Sequence, residues 1–309
     1  MKGMILAAGY GTRLRPLTYF VPKPMVTVCN RPLIGYAVEG FIQHGITDII
    51  VNLHHLPEQI ERYLKRTYAG QCTFHFSFEP EILGTGGGIR KVRPLLETEE
   101  EFFLVNGDTI QFAPYERLRE HRREKNALAA LTLRHPPPGD RFTAVWFGDG
   151  KITGFARSGV GEPLMFSGSH DISSRIFRHL PDKDFSGIVD EVYIPLIASG
   201  KETIAAIVDD GPWFDIGTPQ RYISAAEGIR QMTIAGEVPV AKGSRIVKDS
   251  IAHQTATIIG TISKSSIGAR SAVRGEVRDS IIGEDCNITG SALLESCIVG
   301  DDVDISRPL

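Results

Sequence analysis

The sequence predicts an α/β protein: a doubly wound, mostly parallel sheet, followed by a left-handed parallel β-helix. Two observations predict it. From residue 1 to about 235, short apolar runs alternate with segments of helical periodicity, the pattern of βαβ units. After about 236 that periodicity stops, and an apolar residue, a glycine, four mostly small or polar residues and a second apolar residue recur. Two domains are therefore expected, residues 1–235 and 236–309.

Met4-Ile5-Leu6-Ala7-Ala8 contains no polar residue, as in a strand covered on both faces. Ile34, Ala37, Val38, Phe41 and Ile42 form one helical stripe, and Gly45 supplies the stop. Ile49-Ile50-Val51 is the next strand, and Pro57 opens a helix from its first turn. Phe102-Phe103-Leu104-Val105 is a third buried strand, ending at Asn106-Gly107-Asp108. A helix is expected from about Gln220 to Arg230. In the tail, Ile267-Gly268, Ile282-Gly283 and Val299-Gly300 lead to Val273, Ile288 and Ile305, and the units start 15 and 17 residues apart. That is hexapeptide spacing with aliphatic residues facing inward. Such a short coil leaves apolar surface at its ends, so the tail is expected to serve assembly and stability, with homo-oligomer contacts through the β-helix.

The composition narrows the function. Hydrophobic residues make up 42% of 309 and the net charge is −3, so a large core forms and neither nucleic acid nor a membrane surface is an expected partner. Cys29, Cys72, Cys286 and Cys297 are scattered without a CxxC pair. Zinc and disulfide frameworks are thus disfavoured, and a reducing, cytoplasmic location is expected. No run reaches the roughly eighteen apolar residues of a membrane span. The pair His54-His55 lacks neighbouring carboxylates and reads as surface rather than as a metal site.

Candidate chemistry begins where the first strand runs into Gly9-Tyr10-Gly11-Thr12-Arg13-Leu14-Arg15. Glycines there let backbone N–H groups close on phosphate oxygens. The spacing fits neither a dinucleotide fingerprint nor a Walker A loop, and a tight structural turn is the alternative. Lys23 follows between Pro22 and Pro24; a cation on such a stiff backbone is placed without reorganisation. Asp108 ends an apolar strand and Asp215 precedes Gly217-Thr218-Pro219. Two such carboxylates suit Mg²⁺, which takes a few carboxylates plus phosphate oxygens. Capping of the following helix is the competing role for Asp215.

Leu6-Ala7-Ala8-Gly9-x-Gly11-Thr12-Arg13-Leu14-Arg15-Pro16-Leu17-Thr18 and Pro22-Lys23-Pro24 closely resemble the signature of the sugar-1-phosphate nucleotidyltransferases. The resemblance continues through Asn106-Gly107-Asp108 and Trp213-Phe214-Asp215-Ile216-Gly217-Thr218-Pro219, and the tail resembles that of mannose-1-phosphate guanylyltransferases and ADP-glucose pyrophosphorylases. It implies the nucleotide-diphospho-sugar transferase type of α/β fold, with an NTP and a sugar 1-phosphate as substrates. Leu6, Ala8, Gly9, Gly11, Thr12 and Arg13 are implied to hold the nucleotide, Arg13 and Lys23 to be catalytic, and Asp108 and Asp215 to bind metal. Glu81, Gly84 and Thr85 belong to the segment implied to read the base. Glu81 suits guanine, whose N–H groups a carboxylate accepts, whereas Gly86-Gly87-Gly88-Ile89 also resembles a uridylyltransferase. The sugar pocket is implied at Asn106, Glu162, Ser167 and Gly168. It departs from the family at Phe142-Thr143-Ala144-Val145, where Tyr-Gly-Val-Val is usual, and at Gly161-Glu162-Pro163, where Glu-Lys-Pro is usual.

The reaction implied is displacement at the α-phosphorus of the NTP by an oxygen of the sugar phosphate. That phosphate is largely dianionic at neutral pH, so no general base is needed; positioning and charge do the work. Mannose-1-phosphate guanylyl transfer is the expected activity. Uridylyl or thymidylyl transfer to glucose 1-phosphate or an amino sugar 1-phosphate is the alternative, as is a regulatory protein that binds the nucleotide sugar.

Overall fold

The computed structural model describes residues 1–137, 139, 142–156 and 159–305. They form two compact units: Met1–Tyr10 with Ile34–Trp213, and Gly11–Leu33 with the chain from Phe214 onward.

The first unit is built on β1 (Lys2–Leu6), β2 (Asp48–Leu53), β3 (Thr73–Phe78), β4 (Glu101–Asn106), β5 (Ala129–Arg134), β6 (Val145–Gly148), β7 (Lys151–Phe155), β8 (Glu162–Ser173) and β9 (Ile204–Val208). They make one sheet in the order β3-β2-β1-β4-β8-β5-β9-β7-β6. β1, β2, β3 and β4 pair in parallel, as do β5 and β9, while β8 and β7 run against their neighbours. Successive residues of a strand face opposite sides of a sheet, and Met4 and Ile5 are both fully buried, as are Ile49, Ile50 and Val51. The central strands are therefore covered on both faces, as their unbroken apolar runs require.

Helix α1 (Leu33–Gln43) buries Ile34, Val38 and Phe41 completely, while Ala37 and Ile42 lie at the margin of its stripe. Helix α2 (Pro57–Thr67) opens on its proline as expected. Ala7 and Ala8 lie beyond the end of β1, and this shift matters because the loop at the sheet's edge starts there. In the register, Leu6 lies opposite Asn52 on one side and Asn106 on the other, so the three strand ends reach one edge together.

The second unit holds helix α6 (Pro219–Ile234), four residues longer at its C-terminal end than expected, and the tail. Helices α3 (Gly84–Lys91), α4 (Tyr115–Glu124) and α5 (Ile194–Ser199) belong to the first unit. In the tail, the chain visits three ladders in turn. One carries Ser250–His253, Ser266–Ile267, Ile281–Ile282 and Ile298–Val299; the next Thr257–Ile258, Ala272–Val273, Asn287–Ile288 and Asp304–Ile305; the third Thr261–Ser263, Glu276–Arg278 and Leu293–Glu295. Within each, the successive rungs named pair in parallel. Ile267, Val273, Ile282 and Ile288 lie in the core, with Val299 and Ile305 packed on it. The third ladder adds Ile262, Val277 and Leu294 to that core, an inward position the two-point sequence repeat does not reveal.

Corners recur with the same period. Lys264, Asp279 and Ser296 take left-handed backbone at one corner, and Arg270, Asp285 and Asp302 at another. Hydroxyls stack beside them: Ser250 Oγ accepts from Ser265 N, Ser265 Oγ from Ser280 N, and Ser280 Oγ from Cys297 N, at 3.1, 3.1 and 3.0 Å. Each meets a backbone donor that the tight corner leaves without a ladder partner. Among the described residues, no helix is long and apolar enough to cross a membrane.

Candidate active site

In the first unit, the edge shared by β1, β2 and β4 is wired by side chains. Asn52 Oδ1 accepts from Ala7 N at 2.8 Å, and its amide donates to Glu79 Oε1 at 2.8 Å. Glu79 Oε2 accepts from Leu83 N at 3.0 Å. The buried Glu79 carboxylate thereby ties the end of the first strand to the start of α3, fixing both Ala8 and the segment Gly84-Thr85. Sequence reading singled out neither Asn52 nor Glu79. The available signal was a polar residue ending each apolar run.

The glycines at the start of α3 have a structural cause. Gly86 N and Gly87 N donate to the Ser186 carbonyl at 2.8 and 3.3 Å. A Cβ on Gly84 would come to 2.6 Å from that oxygen, and one on Gly87 to 2.3 Å from the Asp184 carbonyl. The first N–H groups of a helix are normally free to take a ligand; here two of them hold a neighbouring strap. Glu81 is exposed and Thr85 half-buried. At Gly9 an added Cβ meets nothing within 4 Å, so packing of the chain on itself does not demand that glycine.

Asn106 ends β4, and Gly107 N donates to Leu6 O at 2.9 Å, which sets the half-buried Asp108 just past the edge. Gly168, left-handed at φ 110, leaves room for the Asn106 amide, which would lie 3.1 Å from a Cβ there. Ser167 Oγ donates to Thr132 O at 2.9 Å, and its carbonyl accepts from Trp213 Nε1 at 2.7 Å. Glu162, at the start of β8, contacts His135 Nε2 at 3.0 Å; the other ring nitrogen contacts Asp210 at 2.6 Å. Asp210 chiefly, then Glu162, raises the pKa of this exposed imidazole above its ordinary value. His54 contacts Tyr10 Oη and the Glu79 carbonyl, at 2.8 and 2.7 Å.

The second unit carries the basic residues. Gly11 is left-handed at φ 63, and a Cβ there would lie 2.8 Å from Lys23 Cβ and 3.2 Å from Thr18 Cγ2. Thr18 Oγ1 donates to Gly11 O at 2.9 Å. The glycine loop and the proline-flanked lysine are thus packed together, with Lys23 only 5% exposed. Thr12 and Arg13 lie exposed in the turn Thr12–Leu14. An added Cβ on Gly217 would be 2.9 Å from both Arg13 Nη1 and Asp215 Oδ2, so Arg13, Asp215 and Gly217 share one patch. Thr218 Oγ1 accepts from Arg221 N at 3.3 Å and is the cap of α6. Capping therefore does not explain Asp215, whose carboxylate instead pairs with the Arg221 guanidinium.

A mixed sheet with a parallel half and polar loops at its carboxyl edge has the architecture of α/β proteins, a class that takes its ligands at that edge. Residues 2–232 match the Nucleotidyl transferase family, and the chain belongs to that family of sugar-1-phosphate nucleotidyltransferases. It is 30% identical over 271 residues to mannose-1-phosphate guanyltransferase 2 of Candida glabrata, a match that covers 83% of this chain and 72% of that protein. It is also 30% identical over 240 residues to mannose-1-phosphate guanyltransferase beta-A of Xenopus laevis, covering 72% and 63%. HddC from Yersinia pseudotuberculosis, also solved in complex with GMP-PN, superposes with a TM-score of 0.61 at 24% identity, over 74% of this chain and 99% of that one. At that identity the likeness speaks for the fold.

Proposed function

We propose that the protein transfers a guanylyl group from GTP to mannose 1-phosphate, forming GDP-mannose and releasing pyrophosphate. The observation that carries this reading is the packing of Gly11 on Lys23: a loop that admits no side chain, held against a buried cation. Such an arrangement suits a phosphate that must come close to backbone N–H groups while its charge is neutralised. The similarity to proteins named mannose-1-phosphate guanyltransferases supports the choice of sugar and base.

In this reading an oxygen of the sugar phosphate attacks the α-phosphorus in line, the bond to the β-phosphate oxygen breaks, and pyrophosphate leaves. Leu6, Ala8, Gly9, Gly11 and Thr12 hold the nucleotide, with Arg13 on the triphosphate and Lys23 on the phosphate groups. Glu81, Gly84 and Thr85 read the base, with Glu81, exposed in the fold, accepting from guanine. Asn106, Glu162, Ser167 and Gly168 face the sugar. Glu162 stands where the family has lysine, so a carboxylate held by His135 replaces a phosphate-binding cation.

Mg²⁺ is the proposed cofactor, with Asp108 and Asp215 as its carboxylates. Among the described residues, no group of three or more His, Cys, Asp or Glu could hold a metal ion. Mg²⁺ binds through one or two carboxylates and substrate phosphates. Arg221 already neutralises Asp215, so an arriving ion must share or displace that partner. When bound, it would offset the charge of the departing pyrophosphate. We further propose that the tail is a left-handed β-helix that mediates homo-oligomer contacts, that residues 1–235 form the catalytic domain, and that the protein is cytoplasmic. The short parallel rungs support the β-helix, and exposed Ile246, Ile259 and Leu293 support the homo-oligomer contacts.

Pyrophosphate release measured across four NTPs and a panel of sugar 1-phosphates tests the activity. GTP with mannose 1-phosphate is expected to give the highest kcat/KM. A preference for UTP would remove the guanylyl assignment. Silence with every pair, alongside retained binding of a nucleotide sugar, would make the protein a regulatory member of the family.

A further inference from the structure

The second unit contains a cleft of about 280 Å³ that none of the proposed chemistry uses. Helix α6 forms one wall, with Glu227 and Arg230. The coil forms the other with the corner residues Lys264, Asp279 and Ser296, one from each of three successive turns, and with Ser266 below them. Its volume lies just under the roughly 300–1,000 Å³ of sites for drug-sized ligands, which is the scale of a small metabolite.

Arg230 is the telling residue. It is 4% exposed, with the Asp249 carboxylate close enough to feel its charge. Its Nη1 donates to the Asp249 carbonyl at 2.7 Å, and its Nε finds no acceptor. The Asp249 carboxylate also accepts from Lys264 N at 3.1 Å and Ser250 Oγ at 3.2 Å. A buried guanidinium nitrogen without an acceptor is costly, and a phosphate in the cleft would bring acceptor oxygens beside the guanidinium. Lys264, exposed at the mouth, adds a second cation. Among the described residues, Ser266 Oγ has only the Cys29 sulfur, at 3.8 Å, as partner, a weak acceptor that leaves the hydroxyl available. The carboxylates of Glu227 and Asp279 would repel a bare anion, but they accept hydrogen bonds from hydroxyl groups.

We propose that this cleft binds a small phosphate monoester bearing free hydroxyl groups, of the sugar-phosphate class. Arg230, Lys264 and Ser266 take the phosphate, and Asp279 and Glu227 take the hydroxyls. The proposal stands whether or not the nucleotidyl transfer is borne out, because it concerns binding alone.

Titration calorimetry on the full chain, with glucose 6-phosphate and with inorganic phosphate as probes, tests it. Glucose 6-phosphate is expected to bind with Kd below about 1 mM and more tightly than phosphate. Lys264→Asn, which keeps a residue tolerant of left-handed backbone, should weaken both by about tenfold, the scale of one charged hydrogen bond. Asp279→Asn should weaken glucose 6-phosphate while sparing or strengthening phosphate. Both variants lie at solvent-facing corners, and unchanged melting curves will certify their folding. Absence of binding to the unaltered protein overturns the proposal, as does binding that Lys264→Asn leaves intact, since the probe then sits elsewhere. Equal affinity for the two probes overturns the assignment of the hydroxyl partners.

Discussion

Lys23 shows how a single residue can be both packed and chemical. Its stem lies against Gly11, and the residue as a whole is only 5% exposed. Exchange for methionine keeps the stem and removes the charge. Lys23→Met should leave the melting temperature nearly unchanged and lower kcat/KM by about a hundredfold or more, the scale of one preorganised electrostatic contact. A destabilised variant with normal turnover per folded molecule would assign the lysine to structure. His170 offers a residue-scale test of stability. It is 2% exposed, its Nδ1 lies 3.2 Å from Tyr193 Oη, and burial pushes its pKa down to about 3. The unfolded imidazole titrates near ~6.5. Below that pH the unfolded chain holds a proton that the folded one refuses, so stability falls as pH drops from about 6.5 towards 3. The loss from this residue should reach about 2 kcal/mol between about pH 7 and about pH 5. Urea unfolding of the protein and of His170→Asn at both pH values checks it: the variant's stability should vary less by about that amount.

At the scale of elements, the tail holds itself together by stacking like on like. A Cβ on Gly268 would lie 2.3 Å from the Gly283 carbonyl oxygen of the next turn, where only backbone could give way. Gly290 has the same residue type in the same coil, but its nearest neighbour would be 3.8 Å away. Gly268→Ala should therefore destabilise by about 2 kcal/mol or more, while Gly290→Ala stays within about 0.5 kcal/mol. Denaturant midpoints for the pair decide the matter, and equal effects would mean the turns are not stacked this tightly. The Ser265–Ser280–Cys297 ladder was not foreseen, because serine in such a tail reads as loop composition until the turns are superposed.

For the whole molecule, the tail is joined to the segment that carries the basic residues. Asn30 lies in the two-residue turn between Thr27–Val28 and Arg31–Pro32, left-handed like Cys29 before it. Its amide donates to Ser244 Oγ at 3.1 Å and to Ile267 O at 2.9 Å. Tyr222 Oη of α6 holds Thr27 O at 2.5 Å, and Arg31 donates to Pro239 O at 2.8 Å. Removing residues 240–309 strips Asn30 of both acceptors and leaves, of these contacts, only those to Tyr222 and Pro239, so the segment from Gly11 to Leu33 loses part of its anchor. The truncated chain should lose at least about tenfold in pyrophosphate release even where it remains soluble and folded by circular dichroism, because misplacing charged groups by about 1 Å is enough for that. Full turnover in the truncated chain would restrict the tail to assembly, the role its sequence alone suggests.

What the sequence determined by itself is what local chemistry determines. Unbroken apolar runs announced β1, β2 and β4, and period 3.6 announced α1. Proline placed the start of α2, and six-residue spacing marked Ile267, Val273, Ile282 and Ile288 as inward. The residues of the phosphate segment were legible because glycine, lysine and proline constrain the backbone within a few positions of themselves. The tertiary structure alone decided the rest: Asn52 bridging Ala7 and Glu79, Ser186 occupying the N–H groups of Gly86 and Gly87, Arg221 on Asp215, and Asn30 on Ile267. Most of those partners stand far apart in the chain, 237 positions in the last case, and a hydrogen bond leaves no periodic trace. Only the folded backbone, by bringing strand ends and corners to a common edge, determines which polar groups meet.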